Sequence, residues 1–271
     1  MFGTIGNEYL YAAYRITATF KARDESEFEK SGTAFGVQNS KGQFCFVTNR
    51  HILDAGYNDK AGKYIGCELV AMRVAAFKAK DEKTELKPTE RIVFNLLWEP
   101  KAVRFATDYF EDVACIVQPK VASIDGSEVT LAFFLKFDEL ADDAWIEGKL
   151  SICDAVAFPG FPPWHDRLEN RPILRTGTIA SDPRANYSDA TTPKGRRVAY
   201  EAFSFGGSSG SPIVALQKGF KPGPGIQLSG YREAKIVGIN AGHLTGEYGA
   251  HSGVSYFIKS SAILELIERA S

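Results

Sequence analysis

Three residues of this chain have the side chains of a nucleophilic acyl-transfer site. Ser209 lies in the stretch GGSSGSP at 206–212, directly before the apolar run 213–216. A turn this rich in glycine lets a hydroxyl and several backbone N–H groups face the same space. The same composition is common in ordinary turns between strands, so a nucleophilic role requires a base and a carboxylate elsewhere in the chain.

His51 is the candidate base. It follows the apolar stretch 44–48 and begins what the pattern indicates is one helical turn. An isolated histidine more often has a structural role, so its meaning depends on the residues that follow it along the chain.

Asp112 is the candidate carboxylate, because it directly precedes the apolar run VACIV at 113–117. A carboxylate at the mouth of a buried strand is partly desolvated and can orient an imidazole. Asp108 and Glu111 are the alternatives, but only Asp112 adjoins the apolar strand.

The elements that must position these side chains are short strands separated by glycine, proline and polar turns. The sequence predicts strands at 9–21, 33–37, 44–48, 113–117, 152–158, 173–181, 198–205, 213–216, 235–240 and 255–258, and it has further apolar stretches at 67–77, 91–98 and 129–137. It also predicts charged loops at 22–32 and 78–91, a solvated basic loop tip at 194–197, some helical character in 138–147 and an amphipathic helix at 261–270.

The composition favours a globular protein without a polyanionic partner. Among 271 residues, 32 lysines and arginines balance 33 aspartates and glutamates, so we expect neither nucleic acid nor an anionic membrane as a partner. The sequence has no apolar run of about 20 residues and no secretory signal at its start, which predicts a cytoplasmic protein.

The cysteines predict a reduced protein without a metal. Cys45, Cys67, Cys115 and Cys153 are far apart and form no Cys-x-x-Cys pair. We interpret them as packing residues, and we expect no metal and no cofactor.

The order histidine, aspartate, serine is that of chymotrypsin. Five blocks carry the resemblance, namely GTAFGV at 32–37, FVTNRH at 46–51, DVACIV at 112–117, GGSSGSPI at 206–213 and IVGINAG at 236–242. Together they resemble the chymotrypsin-fold serine peptidases, and most of all the bacterial trypsin-like group that includes the glutamyl endopeptidases and the Deg/Htr proteases.

This resemblance implies an all-β fold of two six-stranded antiparallel β-barrels with a short C-terminal helix. The barrels would span about 8–120 and 150–260, joined by 121–149, with the helix at 261–270. The whole chain, 1–271, would then form one peptidase domain.

The resemblance also implies a role for each site residue. His51 would take the proton of Ser209 during attack on a carbonyl, and Asp112 would fix the imidazole tautomer. The N–H groups of Gly207 and Ser209 would form the oxyanion hole. Substrate would contact six further residues: Phe203, Ser204, Asn240, Ala241, Gly242 and His243.

Departures from the family pattern narrow these expectations. Cys45 lacks the partner that secreted relatives have after the histidine, which indicates a reducing compartment. Ser208 replaces an aspartate of zymogen-type relatives, so we expect no activation by N-terminal cleavage. The lack of an acidic residue near Phe203 and Ser204 argues against cleavage after lysine or arginine, and Asn240 replaces a histidine of the glutamyl endopeptidases.

The sequence therefore predicts a serine endopeptidase that acts on a polypeptide of unknown identity. Because no PDZ domain follows Ser271, we expect targeting to come from loops, an operon-encoded regulator or an oligomer. Two alternatives remain, a non-catalytic peptide-binding module on the same fold and an esterase with the same three residues.

Overall fold

A computed structural model of the protein describes residues 5–78, 90–124, 133–220, 230–246 and 249–269, together with 88, 126, 129 and 131. These residues form a mainly β structure with short helices. The strands are β1 (Ala13–Lys21), β2 (Glu27–Gln38), β3 (Phe44–Thr48), β4 (Glu68–Lys78), β5 (Glu90–Leu97), β6 (Val103–Phe105), β7 (Ala114–Val117), β8 (Lys120–Ser123), β9 (Ala155–Gly160), β10 (Ile173–Ile179), β11 (Arg197–Glu201), β12 (Pro212–Ala215), β13 (Lys235–Thr245) and β14 (His251–Lys259). The helices are α1 (Asn7–Tyr11), α2 (Arg50–Leu53), α3 (Asp143–Lys149) and α4 (Ser260–Arg269), with single 3₁₀ turns at Pro100–Ala102 and Phe137–Glu139.

The strands form two antiparallel sheets, one closed and one open. The second sheet is a closed barrel of six strands in the order β10-β11-β14-β13-β12-β9, as the sequence predicted. The first sheet has eight strands in the order β6-β7-β3-β2-β1-β4-β5-β8, with no ladder between its two edge strands in the part of the chain that the structure describes. The prediction of two six-stranded barrels is therefore wrong for the first half. Closure requires a ladder between the edge strands, and β6 has only three residues, which pair with β7.

Strand β2 is longer than the sequence indicated. The segment 22–32 was expected to be a charged loop, but β2 begins at Glu27 and pairs along β1, with Lys30 opposite Ala18. Residues 27–31 alternate between exposed and partly buried positions, as expected for a strand with one face towards solvent. The sequence did not reveal this alternation because charged residues occupy both kinds of position. The expected loop at 78–91 lies largely outside the described residues.

The hairpin of β2 and β3 delivers the chain to His51. Phe35 pairs with Val47, and the turn between the strands is closed by the Asn39 side chain, which accepts from the N–H groups of Lys41 and Gln43. Helix α2 follows β3 after one residue, as the sequence indicated, so His51 lies just past the end of this interior strand of the first sheet. At the other end, the prediction of strand from Tyr9 is wrong, because residues 7–11 form α1.

One hydrophobic core joins the sheet, the barrel and the last helix. It contains residues of β2 and β3, residues of β12 and β13, and the apolar face of α4, including Phe35, Val47, Val214, Ile236, Ile263 and Ile267. The segment between the two halves is tied to both, because Leu135 bridges to Val37 and Leu140 bridges to Ile236. This shared core fixes how the sheet and the barrel face each other. Among the described residues, no helix is both long enough and apolar enough to cross a bilayer.

Candidate active site

His51 and Asp112 form a polar pair where β3 ends and the paired strand β7 begins. The Nδ1 atom of His51 lies 2.6 Å from Oδ2 of Asp112, and the His51 backbone N–H donates to Oδ1 at 2.9 Å. With a carboxylate at this distance, Nδ1 carries the proton, so Nε2 is the atom with a free lone pair. The imidazole is thus held in the tautomer that can accept a proton.

The position of Asp112 is fixed by its backbone as well as by its burial. Its carbonyl accepts a hydrogen bond from the Asn49 side chain at 2.7 Å, and the residue is 5% exposed. Asp108 is exposed and accepts from the Phe110 N–H, and Glu111 binds Arg196 instead of the histidine. Of the three acidic residues considered, only Asp112 reaches His51.

The Ser209 turn packs against the first sheet beside α2. The Ser209 carbonyl accepts from the Thr33 N–H at 2.8 Å, and the Thr33 hydroxyl donates to the Gly207 carbonyl at 2.7 Å. A Cβ on Gly32 would lie 2.9 Å from the Ile52 side chain and 3.0 Å from the Ser209 carbonyl oxygen. Ile52 and the serine turn therefore both pack against residue 32 so closely that only glycine fits at this position.

Three N–H groups in this turn lack an acceptor. The N–H groups of Ser208, Gly210 and Ser211 each donate to a backbone carbonyl. Within the described part of the chain, those of Gly206, Gly207 and Ser209 have no acceptor. Unsatisfied backbone donors at a serine and at the residue two positions before it can together bind a developing oxyanion.

Glycine is required at 207 and 210 because both residues have positive φ, 86° and 88°. A Cβ on Gly207 would overlap the Phe161 carbonyl oxygen, and one on Gly210 would overlap the Thr33 carbonyl oxygen. Gly206 is different, since a Cβ there meets no atom within 4 Å.

Asn240 holds the turn from the barrel side. Its side chain donates to the Ser208 carbonyl at 2.9 Å and accepts from the Tyr200 hydroxyl at 2.9 Å. Its backbone carbonyl accepts from the Gly210 N–H, and its own N–H donates to the Ser211 carbonyl. Asn240, predicted to contact substrate, is thus 1% exposed and supports the turn.

The other residues that were predicted to contact substrate either pack within the barrel or are exposed at its surface. Ala241 is buried at a β-bulge of β13, and Gly242 lies against the Tyr256 ring, so both belong to the strand itself. Ser204 is buried, with its N–H donating to His251 Nε2 at 3.2 Å. Phe203 and His243 face outward.

A ladder of aromatic rings extends beside the serine turn. Trp164 packs on Phe205 at 4.4 Å between centroids, Phe203 on His251 at 5.0 Å, and His251 on His243 at 4.3 Å. Of these rings, the sequence analysis named Phe203 and His243 as substrate contacts and missed Trp164. The only feature of the sequence that pointed to Trp164 was the presence of a tryptophan in the proline-rich stretch PGFPPW at 159–164.

Arg175 is a site residue that sequence reasoning missed. Its guanidinium donates to the Ser208 hydroxyl and, at 2.8 Å, to the Phe203 carbonyl, and it stacks on the Phe158 ring. Burial lowers the pKa of Arg175 below its ordinary value. Ser208 thus has an arginine partner where zymogen-type relatives have an aspartate that binds a freed N-terminus.

The expected basic loop tip at 194–197 is partly buried, which corrects the sequence interpretation. Arg196 binds both carboxylate oxygens of Glu111, at 2.5 and 2.7 Å, and Glu265 at 2.8 Å. Arg197 is 8% exposed and stacks on Tyr256. Each of these two guanidinium groups contacts a residue that is distant in the sequence, so neither belongs to a solvated loop tip.

The four cysteines are free thiols, as predicted, but only Cys45 and Cys115 are buried. Burial raises the pKa of the Cys45 thiol to about 12. Cys153 is exposed, so its assignment as a packing residue is wrong. Across the described ranges, no group of three or more histidine, cysteine or acidic side chains could hold a metal ion.

Comparison with solved structures agrees with this architecture. The chain is similar to a structure described as the HtrA-type protease AlgW with tripeptide, with a TM-score of 0.50 and 15% sequence identity. The match covers 97% of this chain and 62% of that one, so the chain spans less than two thirds of that protein's length. The closed barrel, the curled open sheet and the C-terminal helix are consistent with a chymotrypsin-like fold. No protein-family model and no curated protein matches the sequence.

Proposed function

We propose that this protein is a serine endopeptidase. Ser209 attacks the carbonyl of a peptide bond, His51 takes its proton and returns it to the leaving amine, and Asp112 holds the imidazole in the required tautomer. The N–H groups of Gly207 and Ser209 stabilise the oxyanion.

The observation that carries the proposal is the coincidence of two independent features. His51 is bonded to a buried carboxylate through Nδ1, and the N–H groups of Gly207 and Ser209 are without acceptors in the part of the chain that is described. A peptide-binding module without catalysis has no need for either feature. The free, buried Cys45 supports a reducing compartment for this activity.

The substrate is a polypeptide that binds in extended form. The resemblance implies that the acyl side of the substrate pairs with residues 240–242 of β13 as an added strand. The aromatic ladder described above adjoins this path, and the exposed Phe203 supplies apolar surface for a substrate side chain. The similar protease structure that contains a tripeptide supports peptide binding on this fold.

Labelling with a fluorophosphonate tests the proposal. Such probes react with an activated serine, so we expect the native protein to be labelled at Ser209 and the variants Ser209→Ala and His51→Ala to remain unlabelled. Ser208→Ala is the matched control, because it removes the neighbouring hydroxyl and leaves Ser209. Absence of labelling in the native protein would refute the proposal.

Peptide and ester turnover separate a protease from an esterase. We expect cleavage of internally quenched peptides from a mixed library, with the cleaved bonds identified by mass spectrometry. Ester turnover without any peptide cleavage would assign the site to the esterase alternative.

A further inference from the structure

A cavity of about 390 Å³ lies next to the proposed oxyanion donors. Gly206 and Gly207 form one wall, Gly32 forms another, and the loop from Phe161 to Arg167 closes the third side. We call it the leaving-group cavity. No residue of β13 lines it, so the cavity is separate from the β13 path and is open to the part of a substrate beyond the cleaved bond.

The leaving-group cavity is positively charged. Arg15 and Arg167 line it, and no acidic side chain does. Arg167 donates from Nε to the Pro163 carbonyl at 2.8 Å, and Arg15 donates to Asn170 Oδ1 at 3.4 Å. Among the described residues neither arginine has a carboxylate within 4.0 Å, so neither forms an ion pair there.

Two buried polar atoms beside these arginines have no partner. His165 is 7% exposed, and its Nδ1 lies 2.7 Å from the Pro162 carbonyl, so that nitrogen carries the proton. Its Nε2 is therefore an acceptor, and it is buried without a partner in the described structure. Asn170 is 5% exposed, and its Nδ2, a donor, is also buried without a partner.

Asn170 extends the charged region along the first sheet. It lines a second cavity of about 550 Å³ that shares Arg15 with the first and is also lined by Arg73 and Arg91. Only Glu29 contributes a negative charge there, at 3.7 Å from Arg73. Buried polar groups are normally paired in folded proteins, so unpaired ones that line adjoining charged cavities indicate a ligand.

We infer that the leaving-group cavity binds carboxylate groups of the polypeptide segment that follows the cleaved bond. This inference rests on the proposed peptidase activity. Arg15 and Arg167 supply charge-assisted donors to the carboxylate, and the His165 acceptor receives a backbone N–H of the substrate. A substrate with acidic residues just after the cleaved bond is therefore preferred. The carboxylate belongs either to an aspartate or glutamate side chain or to a free C-terminus.

The test compares internally quenched peptides that share one acyl side, taken from the library cleavage described above. On the leaving-group side they carry aspartate with an amidated end, asparagine with an amidated end, or alanine with a free carboxylate. We expect a kcat/KM for the aspartate peptide about 10-fold above that of its asparagine counterpart. A comparable gain for the free-carboxylate peptide would identify the C-terminus as the second source.

The variants Arg15→Gln and Arg167→Gln assign the preference to the cavity. We expect each to reduce the ratio of kcat/KM for the aspartate peptide to that for the asparagine peptide by about 5-fold. Arg104→Gln is the matched control, because it makes the same charge change at an exposed position on the far edge strand β6. The advantage should persist in this control.

Binding without turnover separates failure of this inference from failure of the peptidase proposal. The Ser209→Ala protein should bind the aspartate product peptide more tightly than the asparagine peptide in a fluorescence polarisation assay. Equal binding and equal cleavage of both peptides, with Ser209 labelled by the fluorophosphonate, would overturn the inference alone. Tighter binding of an oligonucleotide than of the acidic peptide would also overturn it.

Discussion

At the scale of single residues, each acidic group near His51 has a different partner. Asp112 contacts the imidazole, Asp108 caps a turn and Glu111 binds Arg196. Three carboxylates within five consecutive residues thus have separate functions, because only Asp112 adjoins the buried run that contains β7. The chemistry of the site depends on this assignment.

Replacing Asp112 with asparagine should lower kcat by a factor on the order of 10⁴. An amide that donates to Nδ1 reverses the imidazole tautomer, so Nε2 carries the proton and cannot accept another. The measurement is the rate of peptide cleavage or, more directly, the rate of fluorophosphonate labelling. Asp108→Asn serves as the control and should react at the native rate; an equal loss in that variant would contradict our assignment.

His251, which lies in the aromatic ladder beside the serine turn, makes this part of the barrel sensitive to acid. The N–H groups of Ser204 and Gly253 point at its two ring nitrogens, at 3.2 and 2.9 Å. A neutral imidazole can accept from only one of them, and a protonated imidazole from neither. Burial, the adjacent His243 and Arg175 lower the pKa of His251 below its ordinary value of 6.5.

Stability should therefore fall with acid through His251. Because the unfolded chain binds the proton more readily, the contribution of His251 is complete above about pH 6.5 and is lost as the pH falls towards the lower folded pKa. We expect the midpoint of thermal unfolding to fall more between about pH 8 and pH 5 in the native protein than in His251→Gln, which keeps an acceptor but does not titrate. Parallel pH curves for the two proteins would exclude this role.

At the scale of elements, the serine turn is held from both sides. Thr33 of β2 bonds to it from the first sheet, and Asn240 of β13 bonds to it from the barrel. Positive φ at Gly207 and Gly210 allows the chain to reverse between these supports. These bonds fix the direction of the Gly207 and Ser209 N–H groups, which have no acceptor in the described part of the chain.

Gly207→Ala should disrupt this turn. The strained φ and the overlap with the Phe161 carbonyl should together reduce the free energy of unfolding by about 1–3 kcal/mol and abolish labelling of Ser209. Denaturant unfolding and probe labelling measure the two effects. The control is Gly206→Ala, which meets open space and should retain both properties; a labelled, fully stable Gly207→Ala protein would rule out the strained turn.

At the scale of the whole molecule, the site lies where the open sheet meets the closed barrel. His51 and Asp112 belong to the first and Ser209 to the second, so activity depends on how firmly the two halves are joined. Besides the shared core, Arg196 connects them by binding Glu111 in the first half and Glu265 on α4. The Glu111 side chain is 3% exposed, whereas that of Glu265 is 45% exposed.

This difference in exposure predicts different costs for the two carboxylates. Glu111→Gln should lower the free energy of unfolding by about 1–3 kcal/mol, because a buried charge-assisted pair is lost. Glu265→Gln should lower it by about 0–1 kcal/mol, since water screens an exposed pair. Urea unfolding of both variants provides the comparison, and equal effects would show that Arg196 does not join the halves through Glu111.

The local patterns of the sequence predicted much of the fold and the key side chains. Alternation and turn residues located most strands of both sheets, the hairpin before His51 and the final helix, because these signals depend on neighbours a few residues apart. The glycines around Ser209 indicated a turn with free N–H groups for the same reason. The prediction of a triad from these residues stays a prediction.

Only the tertiary structure decided what each of these elements faces. Arg175 reaches Ser208 across 33 positions of the chain, and Arg196 reaches Glu111 across 85. No local period marks such partners, and the same holds for the open first sheet and for the leaving-group cavity, whose walls come from both halves. The sequence by itself determined which chemical groups are present and in what order. Packing of distant segments decided which of them are paired, and so which charges and donors remain for a substrate.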